Sequence, residues 1–374
     1  MTERLADAGT AGEGRRRRVL VVTDSLSNGG MERQLVVLAK GLPAEWAVRV
    51  VSLADGVYAP ILREGGVDVT IVPRRFRFDV RPAVGVGRII RDWRPDVVHT
   101  YGWMSMGASV LSCRLAGIPI VDASVQDARV PTGAGRLTRA LTVRADVVIA
   151  NSQAGLDAYA VDPRRGIVVR NGFDPDRWKL CATQDRAARP MTVVMTARMH
   201  SHKDYHCLLD AARILCAEDP GGWRFLAVGS GDDRPALLSE YRDLIGSGAA
   251  DFPEAGTEVL SWVRGSHIGV LLTNAASHAE GIPNSIMEYM ACGLPVVCTD
   301  SGGNRELVVV GETGLIVPPG DAKAVAEALR SLCADPAMAD RMGRAGRERI
   351  ATVFTVDALV RGTIAAYDRA VDRR

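Results

Sequence analysis

The chain is most informative between residues 280 and 306, which read EGIPNSIMEYMACGLPVVCTDSGGNRE. Pro283 suits the first turn of a helix, and Gly293 can end that helix in the left-handed conformation. Asn284 or Ser285 can cap its start. A short apolar run then leads through two glycines into a second helix start. The stretch therefore predicts a helix, a buried strand and another helix in direct succession, the local order of an α/β fold.

The same alternation of strands and helices runs through the rest of the chain. The strand candidates are apolar throughout, as expected of strands buried on both faces, and helices between them imply parallel strands with right-handed crossovers. The predicted strands are Val19–Thr23, Val48–Leu53, Val69–Val72, Val97–His99, Ile118–Val121, Val147–Ala150, Ile167–Val169, Thr192–Thr196, Phe225–Val228, Ile268–Leu272, Val296–Cys298 and Leu315–Val317. The predicted helices of the second half are 204–218, 234–245, 284–292, 321–333 and 336–350.

The alternation breaks once, between Asn171 and Pro190, where the sequence is polar and has no convincing apolar period. A length of 374 residues suits two domains. Open parallel sheets bind ligands at the carboxyl ends of their strands, so two such edges across a cleft would make one site. We predict a disordered tail over 1–14, a first doubly wound domain over 15–180, a second over 181–355, and a C-terminal helix over 356–374 that packs back on the first domain.

Composition excludes several classes of protein. The chain is 47% hydrophobic and 24% charged, which is typical of a globular protein, and its net charge of +2 gives no reason to expect a nucleic-acid partner. The seven cysteines form no CxxC pair, which favours a reduced, cytoplasmic protein. We find no apolar run of 18 residues and no signal-peptide core, so we expect neither a spanning helix nor a secretory leader.

Two carboxylates and a glycine pair are placed for ligand binding at one sheet edge. Glu280 precedes the predicted helix, Glu288 lies within it, and Gly302 and Gly303 precede the next helix. A carboxylate accepts hydrogen bonds from vicinal hydroxyls of a sugar or ribose, and a Gly-Gly helix start suits a phosphate. The alternative interpretation is a capped surface helix with ordinary glutamates.

Arg198 and Lys203 follow another predicted strand in a single loop. Arginine offers phosphate oxygens a planar fork and lysine a mobile charge, so both could reach a diphosphate; the alternative is two solvated surface cations. His200, His202 and His206 lack further ligands of suitable spacing except Asp204, so we predict no metal site. 

Gly29 and Gly30 stand between a predicted strand and helix, where the backbone can approach an anion closely. The alternative interpretation is a flexible turn. The motif is neither GxGxxG nor a P-loop, so it does not indicate an NAD or ATP site.

Taken together, these stretches resemble the GT-B glycosyltransferases, specifically family 4 of retaining enzymes. That family carries two glutamates with seven residues between them, in a pattern like E-G-[FL]-[GP]-x-x-x-x-E-A-M-A-x-G-x-P-V-[IV]-x-[TS]-x-x-G-G, and this chain has EGIPNSIMEYMACGLPVVCTDSGG. The flanking stretches VRNG at 169–172, TAR at 196–198 and VPPGD at 317–321 resemble the family as well. The resemblance runs from about residue 18 to 355 and implies two Rossmann-like domains facing a cleft.

The resemblance also implies roles for the candidate residues. Arg198 and Lys203 would bind the donor diphosphate and stabilise it as it leaves, without a divalent metal or another cofactor. Glu288 would hold the ribose hydroxyls, and Glu280 would face the donor sugar near the reacting centre. Contacts of the backbone with sugar or phosphate are implied at two glycine pairs, Gly29-Gly30 and Gly302-Gly303. The usual outcome in the family is retention at the anomeric carbon.

One departure concerns a histidine that many members carry in a pattern like P-V-V-x-T-x-H. Gln126 takes that place here, and glutamine can hydrogen-bond a sugar but cannot act as a base near neutral pH. His99, at the end of another predicted strand, is the alternative catalytic candidate, although a lone histidine can equally be structural.

The sequence thus predicts a transferase that moves a hexose-type sugar from a nucleotide diphosphate donor to a hydroxyl of a glycan, lipid-linked sugar or small molecule, and it favours a UDP-linked over a GDP-linked donor. The alternatives are a sugar-nucleotide epimerase of the same fold and a catalytically weakened sugar-nucleotide-binding protein. Two basic clusters indicate either peripheral contact with an anionic membrane or the solvated surface of an arginine-rich protein. These clusters are Arg15–Arg18 and Arg74, Arg75, Arg77 and Arg81 with Phe76 and Phe78.

Overall fold

The computed structural model describes residues 15–76, 79–133, 135–181, 190–254 and 259–374, and the predicted disordered tail lies outside them. The described strands form two sheets. The first contains β1 (Arg17–Thr23), β2 (Trp46–Ser52), β3 (Asp68–Ile71), β4 (Val97–Tyr101), β5 (Ile120–Val125), β6 (Val147–Ala150) and β7 (Gly166–Val168). The second contains β8 (Met191–Thr196), β9 (Trp223–Val228), β10 (Ala250–Asp251), β11 (Ile268–Leu271), β12 (Val296–Thr299) and β13 (Gly314–Val317).

The helices cover both sheets and connect their strands. Those of the first half are α1 (Gly30–Gly41), α2 (Tyr58–Glu64), α3 (Arg81–Trp93), α4 (Trp103–Ala116), α5 (Gly135–Thr142), α6 (Gln153–Ala158) and α7 (Pro175–Leu180). Those of the second half are α8 (Tyr205–Glu218), α9 (Arg234–Glu240), α10 (Arg242–Gly246), α11 (Val259–Arg264), α12 (Asn284–Ala291), α13 (Asn304–Leu307), α14 (Ala322–Ala334), α15 (Pro336–Val353) and α16 (Val356–Val371).

The strand order is β3-β2-β1-β4-β5-β6-β7 in the first sheet and β10-β9-β8-β11-β12-β13 in the second, and all pairs are parallel. In each sheet the order in which strands are added reverses next to the first strand, as it does in a doubly wound fold. Ligands bind such a fold at the carboxyl ends of the strands beside this reversal, which here are the ends of β1 and β8. The predicted fold class is confirmed. The two-residue strand β10 is too short to produce an apolar run and was not predicted.

The chain passes between the two sheets twice. The first crossing follows β7, and the second lies between α15 and α16. The crossings touch, because the backbone N–H of Phe173 donates to the carbonyl of Phe354 over 2.7 Å. Beyond the second crossing, α16 places Leu359, Val360 and Tyr367 in the core of the first sheet.

The segment Pro336–Val371 is long and apolar enough to cross a membrane by length and composition. It consists of α15 and α16, separated at Phe354 and Thr355, and the side chain of Thr355 caps the second helix. One apolar face of α16 is buried against the first sheet, with Ala366 and Tyr367 fully covered. In this fold the apolar character of α16 therefore serves the protein core.

Candidate active site between the two sheets

A cleft of about 700 Å³ lies between the facing edges of the two sheets. Residues from both halves of the chain line it, including the turn before α1, the ends of β5 and β6, the loop after β8, and the start of α12. Most of the candidate site residues meet there. They are Gly29, Gly30, Gln126, Arg198, Lys203, Glu280 and Glu288.

Glu280 is an ionised carboxylate at one end of this cleft. It is 5% exposed, its Oε1 contacts Nζ of Lys203 and accepts from the hydroxyl of Thr273 over 2.6 Å, and Nε2 of His278 is 3.7 Å from Oε2. Burial alone would raise the pKa of Glu280, but the charge of Lys203, the nearby ring of His278 and hydrogen bonds from Lys203 and Thr273 outweigh it and hold the pKa well below the usual range. Glu280 is therefore a pure hydrogen-bond acceptor at neutral pH.

The backbone of Glu280 is held from both halves of the chain. It forms an isolated antiparallel bridge with Asp127, which follows β5 in the first half. From the other side, the N–H of Gly303 donates to the carbonyl of Glu280 over 2.8 Å. A Cβ atom on Gly302, whose φ is +52°, would lie 2.0 Å from that same carbonyl oxygen.

This packing corrects the prediction that the Gly302-Gly303 backbone contacts a ligand directly. The pair is not among the residues that line the cleft. It lies behind Glu280 and Gly281, and its lack of side chains allows that loop to reach its position. The backbone N–H of Gly303 donates to the carbonyl of Glu280 and is not free to bind a phosphate. The pair therefore supports the loop that carries Glu280.

Glu288 lines the same cleft and is 4% exposed. Its Oε1 accepts from the guanidinium of Arg33 over 2.5 Å and from that of Arg177 over 2.6 Å. Arg33 belongs to α1 in the first half, whereas Arg177 belongs to α7 in the segment predicted as a linker. The carboxylate is thus buried with two opposite charges, as buried carboxylates require.

The start of α12 departs from the capping expected at residues 284 and 285. No side chain caps the helix, and Pro283 is the residue before its first turn. The amide of Asn284 instead donates to the carbonyl of Gly30 over 3.2 Å and accepts from Gln34 over 3.0 Å. Gly293 ends the segment with φ +68°, as predicted.

Arg198 and the first turn of α1 face each other across the cleft. The guanidinium of Arg198 donates to the carbonyl of Asn28 over 3.2 Å, and the side chain is otherwise exposed. Gly29 precedes α1 without a side-chain cap. A helix N-terminus, Arg198 and Lys203 therefore line one cleft, an arrangement that attracts a phosphate group.

Comparison with known proteins agrees with this geometry. The family model described as "Glycosyltransferase Family 4" matches residues 28–177, and the one described as "Glycosyl transferases group 1" matches residues 190–335. The chain belongs to the family-4 glycosyltransferases. Both matched ranges contribute residues to the cleft, so the family assignment and the geometry concern the same part of the molecule.

Individual relatives have low sequence identity to this chain, but the similarity covers most of its length. A glycogen synthase from Mycobacterium tuberculosis is 29% identical over 293 residues, covering 74% of this chain and 69% of that protein. A D-inositol 3-phosphate glycosyltransferase from Geodermatophilus obscurus is 28% identical over 314 residues, covering 74% and 67%. Among solved structures, Anabaena Alr3699/HepE in complex with UDP has a TM-score of 0.80 at 20% identity, covering 94% of this chain and 99% of that one. The last similarity establishes the GT-B fold.

Gln126 lines the cleft of this glycosyltransferase. Its amide donates to the carbonyl of Ala123 over 3.0 Å and accepts from Nδ2 of Asn151 over 3.1 Å. Both ends of the amide are thereby engaged within the protein. Gln126 orients Asn151, and whether it also contacts substrate stays a prediction.

His99 does not reach the cleft, which corrects its choice as a catalytic candidate. It lies inside β4 with no exposed surface, and its Nδ1 is 2.8 Å from the hydroxyl of Tyr367 on α16. Burial lowers the pKa of His99 to about 3, so the ring is neutral at physiological pH. Its place under α16 makes it a core residue of the first domain.

Replacing His99 by phenylalanine should therefore affect stability rather than chemistry. The free energy of unfolding should fall by about 1–3 kcal/mol at pH 7, because the Tyr367 hydroxyl loses its buried partner. Wild type should also lose stability as the pH falls below about 6.5, since unfolded His99 binds a proton that the folded ring does not, and the variant should lose less. Urea unfolding at several pH values measures both effects. A change in the donor KM beyond about twofold would contradict the structural role.

Several cleft residues were not predicted from the sequence. Those that line the cleft are Arg33, Asp127, Asn151, His278 and Asn284, and Arg177 contacts one of the lining residues, Glu288. Arg33 and Asn284 stand inside motifs that were recognised, so a search for paired charges could have found Arg33. Asp127 and Asn151 follow strands, Arg177 lies in the predicted linker, and His278 lies two residues before Glu280. No local pattern marks any of these four residues.

The histidines near Lys203 do not form a metal centre. The rings of His200 and His202 are 5.8 Å apart, and those of His202 and His278 are 5.2 Å apart. Burial and the charge of Lys203 lower the pKa of His202 to about 4. Within the described ranges, no group of three or more His, Cys, Asp or Glu side chains is arranged to hold a metal ion. That the reaction needs no metal stays a prediction.

Proposed function

We propose that this chain transfers a hexose-type sugar from a UDP-sugar to a hydroxyl acceptor, with retention at the anomeric carbon and without a metal ion. The carrying observation is that Glu280 and Glu288 lie in one cleft with Arg198, Lys203 and the start of α1. Carboxylates at both ends suit the hydroxyls of a sugar and a ribose. The cations and the helix N-terminus suit the diphosphate between them.

The chemistry of this transfer places the largest demand on the leaving group. As the bond from the anomeric carbon to the diphosphate breaks, negative charge grows on the departing oxygen, and prepositioned cations stabilise it without reorganisation. Arg198, which is exposed, and Lys203, which contacts Glu280, are the cations assigned to this role, whereas Arg33 and Arg177 pair with Glu288. Ionised Glu280 accepts a hydrogen bond from a hydroxyl of the donor sugar and holds the sugar ring near the reacting centre.

The choice of UDP and of a glucose-like sugar is supported by structural neighbours. Anabaena Alr3699/HepE, which shares the fold, has been solved with UDP and with UDP-glucose. The acceptor is less constrained. The curated relatives include a glycogen synthase and a D-inositol 3-phosphate glycosyltransferase. The accepting hydroxyl could therefore belong to a glycan or to a small phosphorylated molecule.

Release of nucleoside diphosphate from a panel of nucleotide sugars tests this proposal. Wild type should release UDP from at least one UDP-sugar, and Glu280→Gln should lower the rate by about 100-fold or more because it removes a charge that holds both Lys203 and the sugar. Equal rates for the two proteins would contradict it. A released sugar with altered configuration would instead indicate an epimerase, and binding without release would indicate a non-catalytic binding protein.

The surface of the first domain supports an acceptor presented at a membrane. Exposed apolar residues on and beside α3, α4 and α5 are accompanied by many exposed arginines. The apolar residues are Phe76, Val80, Val84, Leu111, Leu115 and Leu137. The arginines are Arg75, Arg81, Arg88, Arg91, Arg114, Arg136 and Arg139. Such a combination suits an anionic lipid surface. Arg77 and Phe78 of the predicted cluster lie outside the described residues.

Vesicle flotation should detect this contact. We expect wild type to float with phosphatidylglycerol-containing vesicles at low salt and not with pure phosphatidylcholine, because the arginines supply most of the attraction. A double variant, Val84→Glu with Leu115→Glu, should lose binding. Val310→Glu, which changes an equally exposed valine of the second domain, should bind like wild type. Failure of wild type to float would end the membrane proposal.

A further inference from the structure

Two buried hydrogen-bond acceptors belong to residues that line the cleft near Glu280, and neither has a partner among the described residues. The first belongs to Asn151, which directly follows β6 and is 3% exposed. Its Nδ2 donates to Gln126, but its Oδ1 has no hydrogen-bond partner within the described part of the chain. Asn151 lines the cleft beside Gly281, where an added Cβ would come within 2.3 Å of this oxygen.

The second acceptor belongs to Asp127, which follows β5 on the same wall. Its backbone pairs with that of Glu280, so its side chain is fixed relative to the loop that carries Glu280. One carboxylate oxygen, Oδ1, is buried and has no partner among the described residues. Burial raises the pKa of Asp127, while the nearby charge of His278 opposes that shift.

The chemistry of these atoms defines what they can bind. Buried polar atoms in folded proteins are nearly always paired, so two orphaned acceptors on one wall call for donor groups. Glu280 beside them is a third acceptor, and a phosphate would be repelled by two carboxylates. A ligand that offers several hydroxyl groups satisfies all three residues, whereas the diphosphate is accommodated by Arg198 and Lys203.

We propose that Asp127 and Asn151 form a hydroxyl-recognition wall for the transferred sugar, and that this wall determines which hexose the enzyme accepts. The inference rests on the proposed function and deepens it, because it assigns sugar selection to the first domain. Gln126 is the positioning residue of this wall, since its Oε1 accepts from Nδ2 of Asn151 and thereby fixes the orientation of that amide.

The proposal is tested with donors that lack single hydroxyls. Nucleotide-sugar turnover is measured for wild type, Asp127→Asn and Asn151→Leu, with the best natural donor and with its 2-, 3-, 4- and 6-deoxy analogues. Each variant should lose about 10- to 100-fold in kcat/KM with the natural donor, as expected when a buried hydrogen bond to a hydroxyl is lost. Each residue should show non-additive losses for one deoxy analogue, the one that lacks the hydroxyl it binds. The loss of kcat/KM caused by the variant and the loss caused by that analogue should not add, because both changes remove the same contact.

Asp122→Asn is the matched control. Asp122 is another buried carboxylate on β5, also with one unpartnered oxygen among the described residues, but it does not line the cleft. Any loss of kcat/KM in Asp122→Asn should add to the loss caused by every deoxy analogue. The affinity for UDP should stay within about twofold of wild type in Asp122→Asn, Asp127→Asn and Asn151→Leu. If the enzyme turns over nucleotide sugars but the losses from Asp127→Asn and Asn151→Leu add to those of every analogue, the proposed hydroxyl-recognition wall is wrong and the proposed function stands. Absence of turnover by wild type with every nucleotide sugar would overturn the proposed function and the wall together.

Discussion

Alanine at position 203 should lower nucleotide-sugar turnover by about two orders of magnitude or more. The ammonium group of Lys203 lies in the cleft against Glu280, and no other lysine lines the cleft among the residues described. Removing it takes away a charge that would stabilise the departing diphosphate and leaves Glu280 buried without its strongest partner. Arg198→Ala should have a similar effect on turnover, because both cations are assigned to the same leaving group.

The two contributions of Lys203 can be separated by measuring stability as well as rate. The ion pair holds the pKa of Glu280 below its usual range, so the stability it contributes is present above about pH 4.3 and is lost as the pH falls further. In Lys203→Ala this acid-dependent loss should be smaller. Lys179→Ala, which removes an exposed lysine paired with Asp176, is the control for both measurements. Near-wild-type turnover in both Lys203→Ala and Arg198→Ala would contradict the diphosphate assignment.

The second large effect is expected at a residue without a side chain. Gly302→Ala should lower turnover by about 100-fold, because the new Cβ would lie 2.0 Å from the carbonyl oxygen of Glu280 and 2.9 Å from its nitrogen. No contact this short is tolerated, and the obstacle is backbone that cannot rotate away. The loop that carries Glu280 must therefore move, and displacing a reacting group by about 1 Å can cost two orders of magnitude in rate.

Gly311→Ala separates this displacement from the strain of the left-handed backbone. Gly311 has φ +78°, and nothing lies within 4 Å of an added Cβ among the residues described. Both variants should lose about 1 kcal/mol of stability from the unfavourable φ. Only Gly302→Ala should lose turnover, which steady-state kinetics at saturating donor would show. Equal turnover in the two variants would mean that Gly302 does not fix the position of Glu280.

Much of the fold could be predicted because parallel strands buried on both faces leave a strong local signal. The apolar runs identified β1 to β9 and β11 to β13, with ends shifted by a few residues. The predicted helix over 234–245 is divided into α9 and α10 at Tyr241, whose side chain is fully buried. Such a division depends on packing against the sheet, which the helical period alone does not contain.

The candidate site was predictable where its residues share a motif and not where they are scattered. Glu280, Glu288, Arg198 and Lys203 lie in two short segments, so spacing and chemistry pointed to them. Asp127 stands beside Gln126, but its relation to Glu280 depends on a backbone bridge between the two halves of the chain. No local pattern encodes such a bridge.

His99 shows the opposite error. A histidine near the end of a predicted strand suggested a catalytic position, because strand ends face the ligand-binding edge. The structure extends β4 to Tyr101, which places His99 two residues inside the strand and under α16. The residue that covers it, Tyr367, comes from a helix 268 positions later in the chain. Burial of this kind is a property of the whole fold.

The contact between Phe173 and Phe354 has a mechanical consequence. Because the two covalent connections are hydrogen-bonded to each other, we expect them to serve as one shared hinge if the cleft opens. Opening of the cleft would also break bonds that cross it, such as that from Arg33 to Glu288, and twisting one domain against the other would in addition break the contact between the connections. Entry of a donor and release of a product should therefore use the same bending motion. Residues far from the reacting groups would then set its stiffness, and with it the rate of any turnover limited by opening.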